Sequence, residues 1–82
     1  MKILELHSEI ENYLQKHRLT KKFSKQKDFF ELNPFHPSLN TELLEPKKFR
    51  FWSFRVDKKH RAIFIFRNQN EVEVLDVNNH YQ

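Results

Sequence analysis

The sequence predicts an α+β domain, an N-terminal helical hairpin packed on a small antiparallel β-sheet. Three observations carry this. Apolar residues recur at helical spacing between Ile10 and Phe30, whereas from Phe49 onward the pattern changes to period two in β-forming residues. Between them, "NPFHPSLN" holds two prolines and turn-prone Asn and Ser. With 82 residues there is room for a single domain over 1–82 with one modest core. Nine phenylalanines can fill such a core with few side chains, each burying a large area.

Taken in order, "MKILEL" reads as either a short strand or the lead-in to a helix. Ser8 followed by Glu11 has capping-box spacing, and Ile10, Tyr13, Leu14 and His17 then fall on one helical face. Thr20 is a second candidate N-cap. Phe23, Lys27 and Phe30, with Lys22, Gln26 and Phe29, predict a second helix ending before Asn33-Pro34. A helical turn at "NTELLE" closes at Pro46. The segments "FRFWSFRV", "RAIFIFR" and "EVEVLDV", joined by "DKKH" and "NQN", then predict a three-stranded meander with one face under the helices and the other open. Trp52, alternating with Phe54 and Val56, is expected on the core face.

Composition narrows the function. The chain has no glycine, which argues against a phosphate-cradling glycine loop. It has no cysteine, so there is no disulfide and no thiolate ligand, as suits a reducing compartment. The apolar start is broken at Glu5, so neither a signal peptide nor a membrane span is expected, and the chain reads as cytoplasmic. The histidines at 7, 17, 36, 60 and 80 have no metal-ligand spacing, and no metal site is expected. The net charge of +4 is clustered. Lys16, Arg18, Lys21, Lys22, Lys25 and Lys27 run without an acid, and between Lys47 and Arg61 seven bases face Asp57 alone. Lys21, Lys22, Lys25, Lys47, Lys48, Lys58 and Lys59 are therefore candidate contacts for a polyanion or an acidic protein; a solvated helix face and a basic turn are the plainer alternative.

The ordered run "NPFHPSLNTELL", then "WSFRVDKKHRAIF", then a terminal "HY" resembles the RelE/ParE superfamily of type II toxin-antitoxin toxins over roughly residues 19 to 81. The pattern WS-x-R-(x5)-R followed by a strand and "HY" is most similar to the YoeB/Txe branch, whose members cut messenger RNA on the ribosome. The resemblance implies a sheet with the hairpin on one side and a basic concave surface on the other, together with a cognate antitoxin. It implies the ribosome and its mRNA as further partners.

The residues suit that chemistry. RNA carries its own nucleophile, a 2′-hydroxyl beside each phosphate, so cleavage needs a proton acceptor, a proton donor and positive charge for the developing dianion, with no cofactor. His80 is a candidate proton shuttle and Tyr81 a candidate nucleotide-positioning ring. Arg61 offers a fork of donors to phosphate oxygens, with Arg55 as its counterpart on the preceding strand. The two arginines share a face if Val56 pairs with His60, and oppose each other if Val56 pairs with Arg61. In the resembling branch a glutamate between the helices and the sheet serves as base. Here Glu42, Glu45 or His36 could fill that place: alignment through "HPSL" favours His36, and ungapped counting back from "WSFR" favours Glu42. Two rival functions share the scaffold, a non-enzymatic inhibitor of DNA gyrase of the ParE type and a degenerate toxin kept as a binding module.

Overall fold

The computed structural model describes residues 1–79; the sequence expectations for His80 and Tyr81 lie outside them. Strand β1 (Lys2–Ile3) leads into helices α1 (Ser8–Lys16) and α2 (Thr20–Leu32). A 3₁₀ turn at Pro37–Leu39, strand β2 (Glu42–Leu43) and a second 3₁₀ turn at Lys47–Phe49 follow, and β3 (Trp52–Arg55), β4 (Arg61–Phe66) and β5 (Glu71–Asn78) complete the fold. The expected α+β architecture and the β3-β4-β5 meander are present, but the sheet is larger than expected. Its five strands run in the order β1-β5-β4-β3-β2, with β1 parallel to β5 and every other pair antiparallel.

Both extra strands are two residues long, too short for an alternating pattern: the first was one of two readings open to the sequence, and the second was not expected. "MKILEL" proves to be an edge strand: the Lys2 and Leu4 amides donate to Asn70 and Val72, and the Ile3 amide donates to a Glu31 carboxylate oxygen at 3.0 Å. At the other edge "NTELLE" is not a helical turn. Glu42 and Leu43 pair with Ser53 and Trp52, and the Leu44 amide donates to the Phe51 carbonyl.

Neither expected side-chain cap forms. Helix α1 starts after His7 and α2 after Leu19, which leaves Ser8 and Thr20 as first helical residues. The link between the helices explains the second displacement. Arg18 adopts a left-handed backbone (φ 57°), the Leu19 amide donates to Leu14 and the Arg18 amide to Gln15. This is a Schellman ending, closed by contact-ready apolar residues at its two ends, Leu14 and Leu19, both buried. It passes the chain from one helix to the next with Leu19 already in the core, so Thr20 arrives too late to cap. Glu9 and Glu11 at the start of α1 and Lys16 at its end suit the helix dipole.

Both helices cover one face of the sheet. Ile10, Leu14, Phe23 and Phe30 meet Phe54, Ala62, Phe64, Val72, Val74 and Val77. Phe30, Phe54 and Phe64 are fully buried with ring centroids 5.1–5.8 Å apart. Trp52 lies at the margin of this core, half-buried against Phe66. Gln26 ties the layers together, donating from its amide nitrogen to the carbonyls of Ser38 and Arg55. Among the described residues no helix is long and apolar enough to cross a membrane.

Candidate functional site

The site begins with a turn. Asp57 opens the β3-β4 hairpin and one carboxylate oxygen accepts from the Lys59 amide (2.9 Å), the His60 amide (2.7 Å) and His60 Nδ1 (3.0 Å). Burial alone would raise its pKa, but these hydrogen bonds outweigh it and hold Asp57 at about 2. The ionised carboxylate only accepts, so His60 carries its proton on Nδ1. Locked in this way, the loop spans 57–59 and the Val56 amide donates to the His60 carbonyl at 2.9 Å. That is the first of the two registers open to the sequence. Arg55 therefore stands directly opposite Arg61, and both point to the face away from the helices.

Two rungs of side chains define that open face. One runs Arg55, Arg61, Asn78 across β3, β4 and β5; the next runs Glu42, Ser53, Ile63, Asp76 from β2 to β5. The arginines differ in character. Arg55 is exposed, whereas Arg61 is only 7% exposed. Arg61 Nε donates to Ser53 Oγ at 2.9 Å, and Nη2 donates to the Ser53 carbonyl (3.3 Å) and to the Asn40 carbonyl. Asn40 reaches it because its own left-handed backbone (φ 47°) ends the first 3₁₀ turn. Arg61 thus joins the β2-β3-β4 edge to the loop from α2. Burial is the main influence on its pKa and lowers it; Glu42 pulls it back up and the nearby Arg55 charge lowers it further. The guanidinium stays charged in any case.

Glu42 is the second unusual group. Its Oε1 is buried and has no hydrogen-bond partner among the described residues. A buried carboxylate oxygen without a donor is costly unless a neighbouring cation or a ligand compensates it, and Arg61 is that cation. The result is an acid and two guanidiniums on one sheet face, with one oxygen of the acid unspent. Ser53 and Asn40, which orient Arg61, were not singled out in the sequence. The signal for Ser53 was there: it lies two residues from Arg55 on one strand and so shares its face.

His36 is placed differently. Its ring stacks on Phe29 of α2 at 4.3 Å, and Nδ1 accepts from the Ser38 amide at 3.1 Å, capping the 3₁₀ turn. Glu45 directly precedes Pro46, and with Glu42, Leu43 and Leu44 it lines a shallow cleft at the β2 edge.

Positive charge does not fill the open face, where Glu42, Glu71, Glu73 and Asp76 accompany Lys2, Arg55, Arg61 and Arg67. It concentrates beside it, in a groove of about 750 Å³ between α2 and the hairpin, lined by Lys22, Lys25, Arg55, Lys58 and Lys59 with Asp57. Lys22 and Asp57 are 3.5 Å apart. Lys47 and Lys48 sit elsewhere, on the second 3₁₀ turn. Arg55 belongs both to the groove and to the open face. Among the described residues no three His, Cys, Asp or Glu side chains gather as a metal site would require.

This architecture, a helical hairpin over a five-stranded mixed sheet, is a fold that the chain shares with solved structures. The chain is similar over 99% of its length to all of a YoeB/ParE toxin from Agrobacterium tumefaciens, with a TM-score of 0.68 and 22% identity. It is also similar to structures of Staphylococcus aureus YoeB-YefM. In the heterotetrameric complex the match covers 98% of this chain and 94% of that one (TM-score 0.70, 18% identity), and in a second YoeB-YefM complex 99% and 98% (TM-score 0.71, 17% identity). The fold expected from the sequence resemblance is thus the fold observed. No protein-family model and no curated protein sequence matches the chain.

Proposed function

We propose that this chain is the toxin of a type II toxin-antitoxin pair and that it cleaves messenger RNA on the ribosome. The observation that carries the reading is the convergence of Glu42, Arg55 and Arg61 on the open face, with a Glu42 oxygen buried and unspent. Glu42 takes the proton of a 2′-hydroxyl as its oxygen attacks the adjacent phosphorus. Arg55, exposed at the junction with the basic groove, receives the phosphate, and Arg61 supplies fixed positive potential from beneath. The bond from phosphorus to the 5′-oxygen breaks, and that oxygen takes a proton from His80. The products are a 2′,3′-cyclic phosphate and a 5′-hydroxyl. Tyr81 holds the nucleotide. A domain of this size relies on the ribosome to align the attacking hydroxyl, a contribution that can exceed that of any one side chain.

The groove lined by Lys22, Lys25, Arg55, Lys58 and Lys59 suits an acidic segment of a cognate antitoxin, which would cover Arg55 and silence the site. The similarity to toxin chains solved in complex with YefM supports such a partner. Induction of the chain in cells, with primer extension on transcripts and DNA supercoiling followed in parallel, tests the reading. Rapid transcript cuts that disappear in Glu42→Gln are expected. Altered supercoiling with intact transcripts would overturn the nuclease in favour of gyrase inhibition.

A further inference from the structure

A second surface lies at the opposite end of β4 from Arg61. Strand β3 begins at Trp52, which pairs with Phe64, so Ile65 and Phe66 extend past it without a β3 partner. There the end of the second 3₁₀ turn and the sheet edge form an open notch lined by Phe49, Arg50, Trp52, Ile65 and Phe66. None of these is acidic. Phe49 is 54% exposed and its neighbour Phe51, just outside the notch, is 41% exposed, with ring centroids 6.2 Å apart, while Trp52 and Phe66 form the notch wall, partly buried against the core. Two cations of the stretch stand over rings. Lys48 Nζ stands 5.4 Å from the Phe49 centroid, and the Arg50 guanidinium 5.9 Å from that of Trp52. Arg50 has a left-handed backbone (φ 58°), which turns the chain between the two phenylalanines.

Rings and cations interleaved on a shallow surface match the needs of an unpaired nucleic-acid strand, whose bases stack while its phosphates take the positive charge. A protein partner fits less well, because docking apolar surface on these rings would strand Lys48 and Arg50 away from water unless acids were supplied opposite each. We infer that this notch is a stacking platform for single-stranded RNA. The inference rests on the nuclease reading and extends it: four residues of β4 place the platform about 13 Å from Arg61, so the RNA flanking the cleaved phosphate would run to the sheet's end and stack there.

Trp52 is the only tryptophan in the chain, so its emission reports the platform directly. The test titrates the full-length chain with a fluorescein-labelled 2′-O-methyl decaribonucleotide of adenosine, which binds but has no free 2′-hydroxyl to attack. Quenching of Trp52 should saturate together with the anisotropy of the label. Phe49→Ala and Phe51→Ala should each weaken binding about tenfold, Phe49→Tyr should restore it, and Lys48→Gln should reduce the salt slope by about 0.7. Anisotropy that saturates while Trp52 emission stays constant would overturn the platform, as would wild-type affinity in Phe49→Ala or no binding at all. So would quenching of Trp52 by an acidic antitoxin peptide or by rising protein concentration alone, without RNA. Because the oligonucleotide is uncleavable, a quenched Trp52 in a chain that cuts no transcript leaves the platform standing and the nuclease refuted; the reverse result does the opposite.

Discussion

On the proposed function Arg61 should matter to stability as well as to catalysis, and the two effects can be separated. Replacing it with alanine leaves Ser53 Oγ, the Ser53 carbonyl and the Asn40 carbonyl without their donor, and leaves Glu42 without its neighbouring cation. Loss of one partner from such a buried charged group costs about 3–5 kcal/mol. For a domain of this size each kcal/mol moves Tm by about 4–8 °C, so Arg61→Ala should melt at least about 12 °C below the wild type. Pairing it with Glu42→Gln removes the uncompensated acid as well, so the double variant should recover part of that loss. Thermal unfolding followed by far-UV circular dichroism measures all three proteins. If Arg61→Ala melted within about 4 °C of the wild type, the guanidinium would not be the tie between the loop at Asn40 and the sheet, and the architecture argued for the site would be wrong.

Other consequences are simpler to read. Arg18→Gly should stabilise the chain by about 0.5–1 kcal/mol in urea unfolding, because glycine occupies the left-handed position of the Schellman ending without steric cost. Phe64→Ala, which removes one of three mutually packed rings, should cost about 3–5 kcal/mol in the same assay. Asp57 has a folded pKa of about 2, below its unfolded value, so its contribution is fully present above the unfolded pKa of about 4 and is lost as pH falls toward 2. Asp57→Asn should therefore be less stable than wild type at pH 6, with the gap closing in melts taken between pH 4 and pH 2.

The sequence revealed what has a long period and concealed what is short or depends on register. Helix α2 and the meander followed from repeated apolar spacing over six or more residues. Strand β1 remained one of two readings of "MKILEL" and β2 was expected as a helical turn, since a two-residue strand is specified by its neighbours rather than by its own pattern. Ser8 and Thr20 have the composition of caps, yet tertiary structure chose His7 and Leu19, the latter because a buried leucine fixes the join between the helices. At the site, the common face of Arg55 and Arg61 turned on the loop length, which Asp57 decides through its three hydrogen bonds. Charge counting identified Lys22, Lys25, Lys58 and Lys59 without showing that they line one groove with Arg55. The burial of Arg61 was hidden for a physical reason: in sequence an arginine after a hairpin looks like surface charge, and its partners Ser53 and Asn40 are 8 and 21 residues away.

We propose that Glu42, held on the open face, is the base for RNA cleavage. A translation extract programmed with a defined mRNA tests this role, comparing purified wild-type chain with Glu42→Gln, which keeps the shape of the side chain and should melt within a few degrees of wild type. Cuts ending in 2′,3′-cyclic phosphate are expected with the wild type, at a rate lowered about 10²- to 10⁴-fold in the variant. Cleavage by Glu42→Gln at the wild-type rate would contradict it.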